Sequence, residues 1–114
     1  MTQLKGFQKK HLKSLAHGLK PVVQIGKEGM TERVIRAVDE ALVRHELIKI
    51  KFIDFKDRDR KEAFIAEIAL KTGGEPIGMI GHTVTFYRQQ ADPEKKKIEL
   101  PQKGKPLDSL PSRL

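Results

Sequence analysis

A chain of 114 residues has room for one domain with a single modest core, burying roughly two-thirds of the surface that its unfolded form exposes. Lys and Arg number 23 against 15 Asp and Glu, a formal charge of +8, so the surrounding field favours polyanions and nucleic acid is the first partner to consider. The absence of Cys excludes disulfides, zinc thiolate sites and thiol catalysis, and neither a signal-peptide pattern over Met1 to Lys20 nor an apolar run of membrane-spanning length is present, so a cytoplasmic protein without membrane attachment is expected.

Before Glu28 the chain holds no acidic residue, only Lys5, Lys9, Lys10, Lys13, Lys20 and Lys27. Within this cationic segment Leu4, Phe7, Leu12, Leu15, Ala16 and Leu19 fall on about half of a helical wheel, with Lys9, Lys10, Lys13 and His17 on the other half. A first helix is predicted over about Lys5 to His17, apolar inside and basic outside. Gly18 and Pro21 end it, and Val22, Val23 and Ile25 then predict a short buried strand running into the turn Gly26 to Gly29. Thr31 is a good N-cap, and Val34, Ile35, Val38, Ala41 and Leu42 share one face of a second helix from Glu32 to about His45.

At Leu47 to Phe52 the pattern switches to period two, with Ile48, Ile50 and Phe52 on a dry face and Lys49 and Lys51 on a basic one. The charged stretch Asp54 to Glu62 leads into a third helix through Ala63, Phe64, Ile65, Ile68 and Ala69, which Gly73 and Gly74 terminate with a left-handed cap. After Pro76, the strands Ile77 to Ile80 and Thr83 to Tyr87 are joined by Gly81-His82, the composition of a type II′ hairpin turn. The expected fold is therefore α/β, an N-terminal helix followed by βαβαββ, with right-handed crossovers and a mixed four-stranded sheet packed with helices. The domain is expected over 1–90, followed by a Pro- and Lys-rich mobile tail over 91–114.

Gly26-Lys27-Glu28-Gly29 lies between a strand and a helix N-terminus, where unpaired amides and the helix dipole favour a phosphate. The glycines admit a sugar-phosphate backbone and Lys27 adds a charge-assisted donor, although a tight strand-to-helix turn alone would also use them. A KH domain would place such a loop between two helices, and the nucleotide-binding glycine motifs are absent, so no ATP, NAD or other cofactor is expected. Lys9, Lys10, Lys13 and His17, with Lys20, could track phosphates beside the loop, or form a solvated helix face that lacks acidic partners.

Lys49 and Lys51, with Thr83, Thr85 and Tyr87, could add a sheet surface unless the first helix covers it. Five Phe, one Tyr and no Trp supply little for base stacking, so recognition is expected to rest on backbone and shape. His11, His17, His45 and His82 lack zinc-type spacing, and His45 is expected to pack or to cap the second helix. Asp54, Asp57, Asp59 and Glu62 read as a solvated loop and first helical turn. No catalytic residue is identified and no enzyme activity or small-molecule substrate is expected.

His17-Gly18-Leu19-Lys20-Pro21-Val22-Val23, Ile25 to Glu32, Ala41-Leu42 and His45-Glu46-Leu47-Ile48-Lys49-Ile50-Lys51 together resemble the CRM domain, named for chloroplast RNA splicing and ribosome maturation, and its single-domain bacterial YhbY-like members. The similarity extends to Ile80-Gly81, Phe86-Tyr87-Arg88 and Ile98-Glu99-Leu100-Pro101, with Met30 standing where Leu is expected. It implies a fold similar to the C-terminal domain of translation initiation factor three and RNA binding through the GxxG loop and the adjoining basic surface. For the bacterial members it further implies association with precursors of the large ribosomal subunit; the expected partner is 23S-type rRNA in those particles, and the expected state of the chain is a monomer. The candidate RNA-contact set is Gly26, Lys27, Glu28, Gly29, Lys9, Lys10, Lys13, His17, Lys20, Lys49, Lys51 and Arg88. Another structured RNA, such as an intron or small RNA, is the nearest alternative, and a basic adaptor for an acidic protein is the alternative of a different class.

Overall fold

The computed structural model describes residues 4–26, 28–53, 57–90, 92, 94, 98 and 100. The elements are α1 (Gly6–Ala16), β1 (Val23–Ile25), α2 (Glu32–His45), β2 (Leu47–Phe52), α3 (Arg58–Thr72), β3 (Glu75–Ile80) and β4 (Thr83–Tyr87), in the expected order. They form one four-stranded sheet in the order β1-β2-β4-β3. Its β1 and β2 are parallel, while β4 lies antiparallel to both β2 and β3.

Local chemistry sets the boundaries of each element. The Thr31 hydroxyl accepts a hydrogen bond from the Val34 amide at 3.1 Å, with Glu32 in the first turn of α2 and Arg44 in its last, each charge complementing the dipole. For α3 the Asp57 carboxylate accepts from the Asp59 amide at 2.9 Å. The helix therefore starts at Arg58, with Asp59 in the first helical turn as expected, helped by an Arg58–Glu62 pair at 3.2 Å. Gly73 closes α3 at φ 75° with its amide donating to the Ala69 carbonyl. Pro76 sits inside β3, which an edge strand tolerates because its missing N–H breaks no interior ladder. At the β3–β4 turn Gly81 has φ 59° and His82 does not share the positive sign, the type II′ pattern.

Alternation along the central strands separates two apolar layers. Ile48, Ile50 and Phe52 of β2 and Val84 and Phe86 of β4 meet Val38 and Leu42 of α2 and Ile68 of α3 in the main core. Against the opposite face α1 sets Leu12 and Ala16, which with Leu4 cover Leu47, Ile77 and Tyr87. Ile98 and Leu100 also pack there. Most of the expected 91–114 tail lies outside the described residues.

Two expectations for the α1 side need correction. Phe7, Leu15 and Leu19 are 38%, 43% and 41% exposed, and Val22, ahead of β1, is 51% exposed. The sheet offers a narrow seat, which the Leu12–Ala16 row fills because the small Ala16 lets the helix approach; the neighbouring Phe7–Leu15 row is left at the rim. His45, expected to pack or to cap the second helix, is exposed in the last turn of α2, the position of a helix-end role rather than of core packing.

Candidate nucleic-acid interface

At the end of β1 the chain reverses at once into α2. The Gly29 amide donates to the Gly26 carbonyl at 2.9 Å, closing a four-residue turn, and Gly29 is buried with φ 71°. Gly29 thus answers to the tight-turn requirement, since a side chain resists that conformation. Gly26 does not: its φ is ordinary, and apart from its chain neighbours no described residue stands within 4 Å of where a Cβ would be placed. The fold leaves that side of the loop open. Glu28 is exposed, and Lys27 lies outside the described residues.

Strand ends gather around this turn. The Ile53 amide donates to the Ile25 carbonyl and the Phe52 amide to the His82 carbonyl, bringing the C-terminal ends of β1 and β2 and the tip of the β3–β4 hairpin to one edge. On the α1 face of the sheet, register sets Lys49 opposite Thr85 and Lys51 opposite Thr83. The stem of Lys13 crosses the same face, since a Cβ added at Gly78 would come 2.9 Å from Lys13 Cε. Between α1 and the sheet opens a cavity of about 400 Å³, with Lys13, His17, Lys49, Thr83 and Thr85 among its lining and no carboxylate. The first helix therefore covers part of the proposed sheet surface, burying Tyr87 while leaving Lys51 exposed.

Among the described residues Lys10, Lys13, His17, Lys20, Lys49 and Lys51 make no ion pair with a described carboxylate. Lys9 and Arg88 differ. Lys9 Nζ lies 3.9 Å from the Glu75 carboxylate at the edge of the sheet. Arg88 donates to the Asp39 carboxylate at 2.6 Å and to the Thr72 carbonyl at 2.7 Å, tying the end of β4 to α2 and α3 on the far face. Arg88 thus differs from the other candidate contacts in having its guanidinium engaged within the fold.

A family model described as the CRS1/YhbY (CRM) domain matches residues 4–88, a span that holds the turn, the basic face and all seven elements. The chain belongs to the CRM domain family. It is 43% identical over 103 residues to a protein of Haemophilus influenzae named RNA-binding protein, covering 90% of this chain and 100% of that one. The probable RNA-binding protein YqeI of Bacillus subtilis is 36% identical over 99 residues, 86% of this chain and 99% of that one. The solution structure of the Staphylococcus aureus hypothetical protein SAV1595 superposes with a TM-score of 0.73 at 36% identity, covering 87% of this chain and all of that one.

Other buried polar residues of this CRM domain were not singled out by composition and periodicity. Glu46, between α2 and β2, is fully buried at φ 63°. Its carboxylate accepts from the Gln90 amide at 2.7 Å and the Ile98 amide at 2.8 Å, pinning the segment after β4. A carboxylate wedged between two apolar elements in the sequence was the available signal. Beside it the buried Tyr87 hydroxyl has no partner among the described atoms, and burial, reinforced by the Glu46 charge, pushes its pKa up to about 12. Lys61, buried near the start of α3, meets His82 Nδ1 at the hairpin tip. Among the described residues no group of three or more His, Asp or Glu is placed to hold a metal, and no helix is long and apolar enough to cross a membrane.

Proposed function

We propose that this CRM domain is an RNA-binding accessory factor that acts as a cytoplasmic monomer on 23S-type rRNA in precursors of the large ribosomal subunit, without catalysis or cofactor. The observation that carries the reading is the open side of Gly26 beside a face whose lysines have no described carboxylate partner. A phosphate chain can approach the loop without meeting a Cβ, take hydrogen bonds from the first amides of α2 and the Lys27 ammonium, and continue over Lys20, Lys51, Lys49, Lys13 and Lys10. Relatives of nearly the same length carry RNA-binding names, which supports the partner class.

Crosslinking in cells followed by RNA sequencing, with ribosome-gradient blots of wild type and Lys27→Ala, tests the proposal. Expected are crosslinks concentrated in large-subunit rRNA, wild-type protein in pre-ribosomal fractions, and a displaced variant. Diffuse crosslinks without gradient association would leave a general RNA binder, and complexes that survive ribonuclease would favour an acidic protein partner.

A further inference from the structure

The cavity between α1 and the sheet has a lining that phosphate tracking does not require. Its volume of about 400 Å³ is at the small end of the roughly 300–1,000 Å³ typical of ligand pockets, enough for one nucleotide and too little for a paired step. Ala16, Pro21, Met79 and Ile80 supply apolar wall, Lys13, His17 and Lys49 supply cationic or imidazole nitrogen, and Thr83 and Thr85 supply hydroxyls. With no carboxylate in the lining, the site suits an anion that carries a flat apolar body.

Gly78 lies in the same lining. Its φ is not positive, so the backbone does not demand glycine there. A Cβ would come 2.9 Å from Lys13 Cε, the far end of a flexible stem that can move aside, so Lys13 lies along β3 at the wall of the cavity and a larger side chain at 78 would enter the same space. The cavity also communicates with the loop. Val22, whose amide donates to the Lys49 carbonyl, stands four residues before Gly26, on the order of 13 Å at about 3.3 Å per strand residue.

We propose that this cavity receives a single unpaired nucleotide of the bound RNA, the base against Ile80 and Pro21, the phosphate at Lys13 and Lys49, and the threonine hydroxyls on base edge or 2′-hydroxyl. The inference rests on the RNA-binding reading above. It predicts a preference for bulged over fully paired stems, because an extruded base is what sequence-reading RNA proteins commonly capture. The lining holds no Phe, Tyr or Trp and its one aromatic ring is the His17 imidazole, so the base is held mainly by edges and apolar contact rather than by an extended stacking platform.

The test titrates the full chain against two hairpins of equal length, one fully paired and one carrying a single bulged 2-aminopurine ribonucleotide, with free nucleoside monophosphate as competitor. The bulged hairpin should bind about tenfold tighter, the scale of one base contact. Its emission should rise on binding, since the base leaves the neighbouring bases whose stacking quenches it. Gly78→Leu should bring the two affinities within about twofold by filling the cavity. Should that variant fail to fold, Lys49→Met, which keeps the stem and removes the charge, should narrow the preference in the same way. Tight but equal binding of both hairpins, or a preference retained in the variants, overturns the cavity assignment and leaves RNA binding standing. Failure to bind either hairpin overturns both readings, and tight binding of the free monophosphate without a bulge preference replaces the proposal with a mononucleotide site.

Discussion

Gly29 holds φ at 71° while Gly26 has an ordinary φ and open space where a Cβ would stand, so the two glycines of one turn separate stability from recognition. Gly29→Ala is expected to lose about 1–2 kcal/mol in chemical denaturation, the cost of forcing an L-residue into the left-handed region. Gly26→Ala should stay within about 0.5 kcal/mol of the wild type and yet weaken RNA binding, because its methyl meets only the approaching backbone. Glu46 and Tyr87 form the other residue-scale pair. Glu46→Ala strips the acceptor from the Gln90 and Ile98 amides, and a loss of about 2–4 kcal/mol is expected from leaving those donors unpaired. For Tyr87 the folded pKa, about 12, lies above the ordinary 10, so the folded state holds its proton more tightly than the unfolded. Its contribution to stability is present below pH 10 and is lost as the pH climbs toward 12. Tyr87 is the chain's one tyrosine, so phenolate absorbance follows it alone, and Tyr87→Phe should flatten that alkaline decline.

At the scale of elements, α2, β2 and β4 follow the sequence closely because cap, period and turn agree there. Thr31, the switch to period two at Leu47 and the Gly81-His82 turn each point to the boundary that is found. The orientation of α1 was not legible in the same way. A wheel reports that Leu4, Phe7, Leu12, Leu15, Ala16 and Leu19 share an arc, but the width of the seat belongs to the sheet, and only Leu4, Leu12 and Ala16 are buried. Charge showed the same limit. The sequence located the cations, and only the fold shows the Arg88 guanidinium held by Asp39 and Thr72, or Glu46 buried with the Gln90 and Ile98 amides on its carboxylate. Truncation of the two leucines separates the faces of α1: Leu12→Ala should cost about 2–4 kcal/mol, and Leu15→Ala less than about 1 kcal/mol, in parallel urea titrations.

Over the whole molecule a net charge of +8 guarantees attraction to polyanions without saying which lysines deliver it. Partnering decides. If Lys10, Lys13, Lys20, Lys27, Lys49 and Lys51 each neutralise one phosphate, the logarithm of the RNA association constant should fall with the logarithm of salt at a slope of about −4 to −5. Removing one of them, as in Lys13→Ala, should make that slope shallower by about 0.7–0.9 and weaken binding across unrelated stems alike. Arg88→Ala carries the same change in formal charge, but its guanidinium is held by Asp39 and Thr72 on the far face, so its slope should match the wild type while the melting temperature drops. Equal slope changes in both variants would mean that net charge alone governs binding and that the basic face has no defined footprint. A change confined to Lys13→Ala would place the phosphate track across α1 and the sheet, on the side where the glycine turn opens.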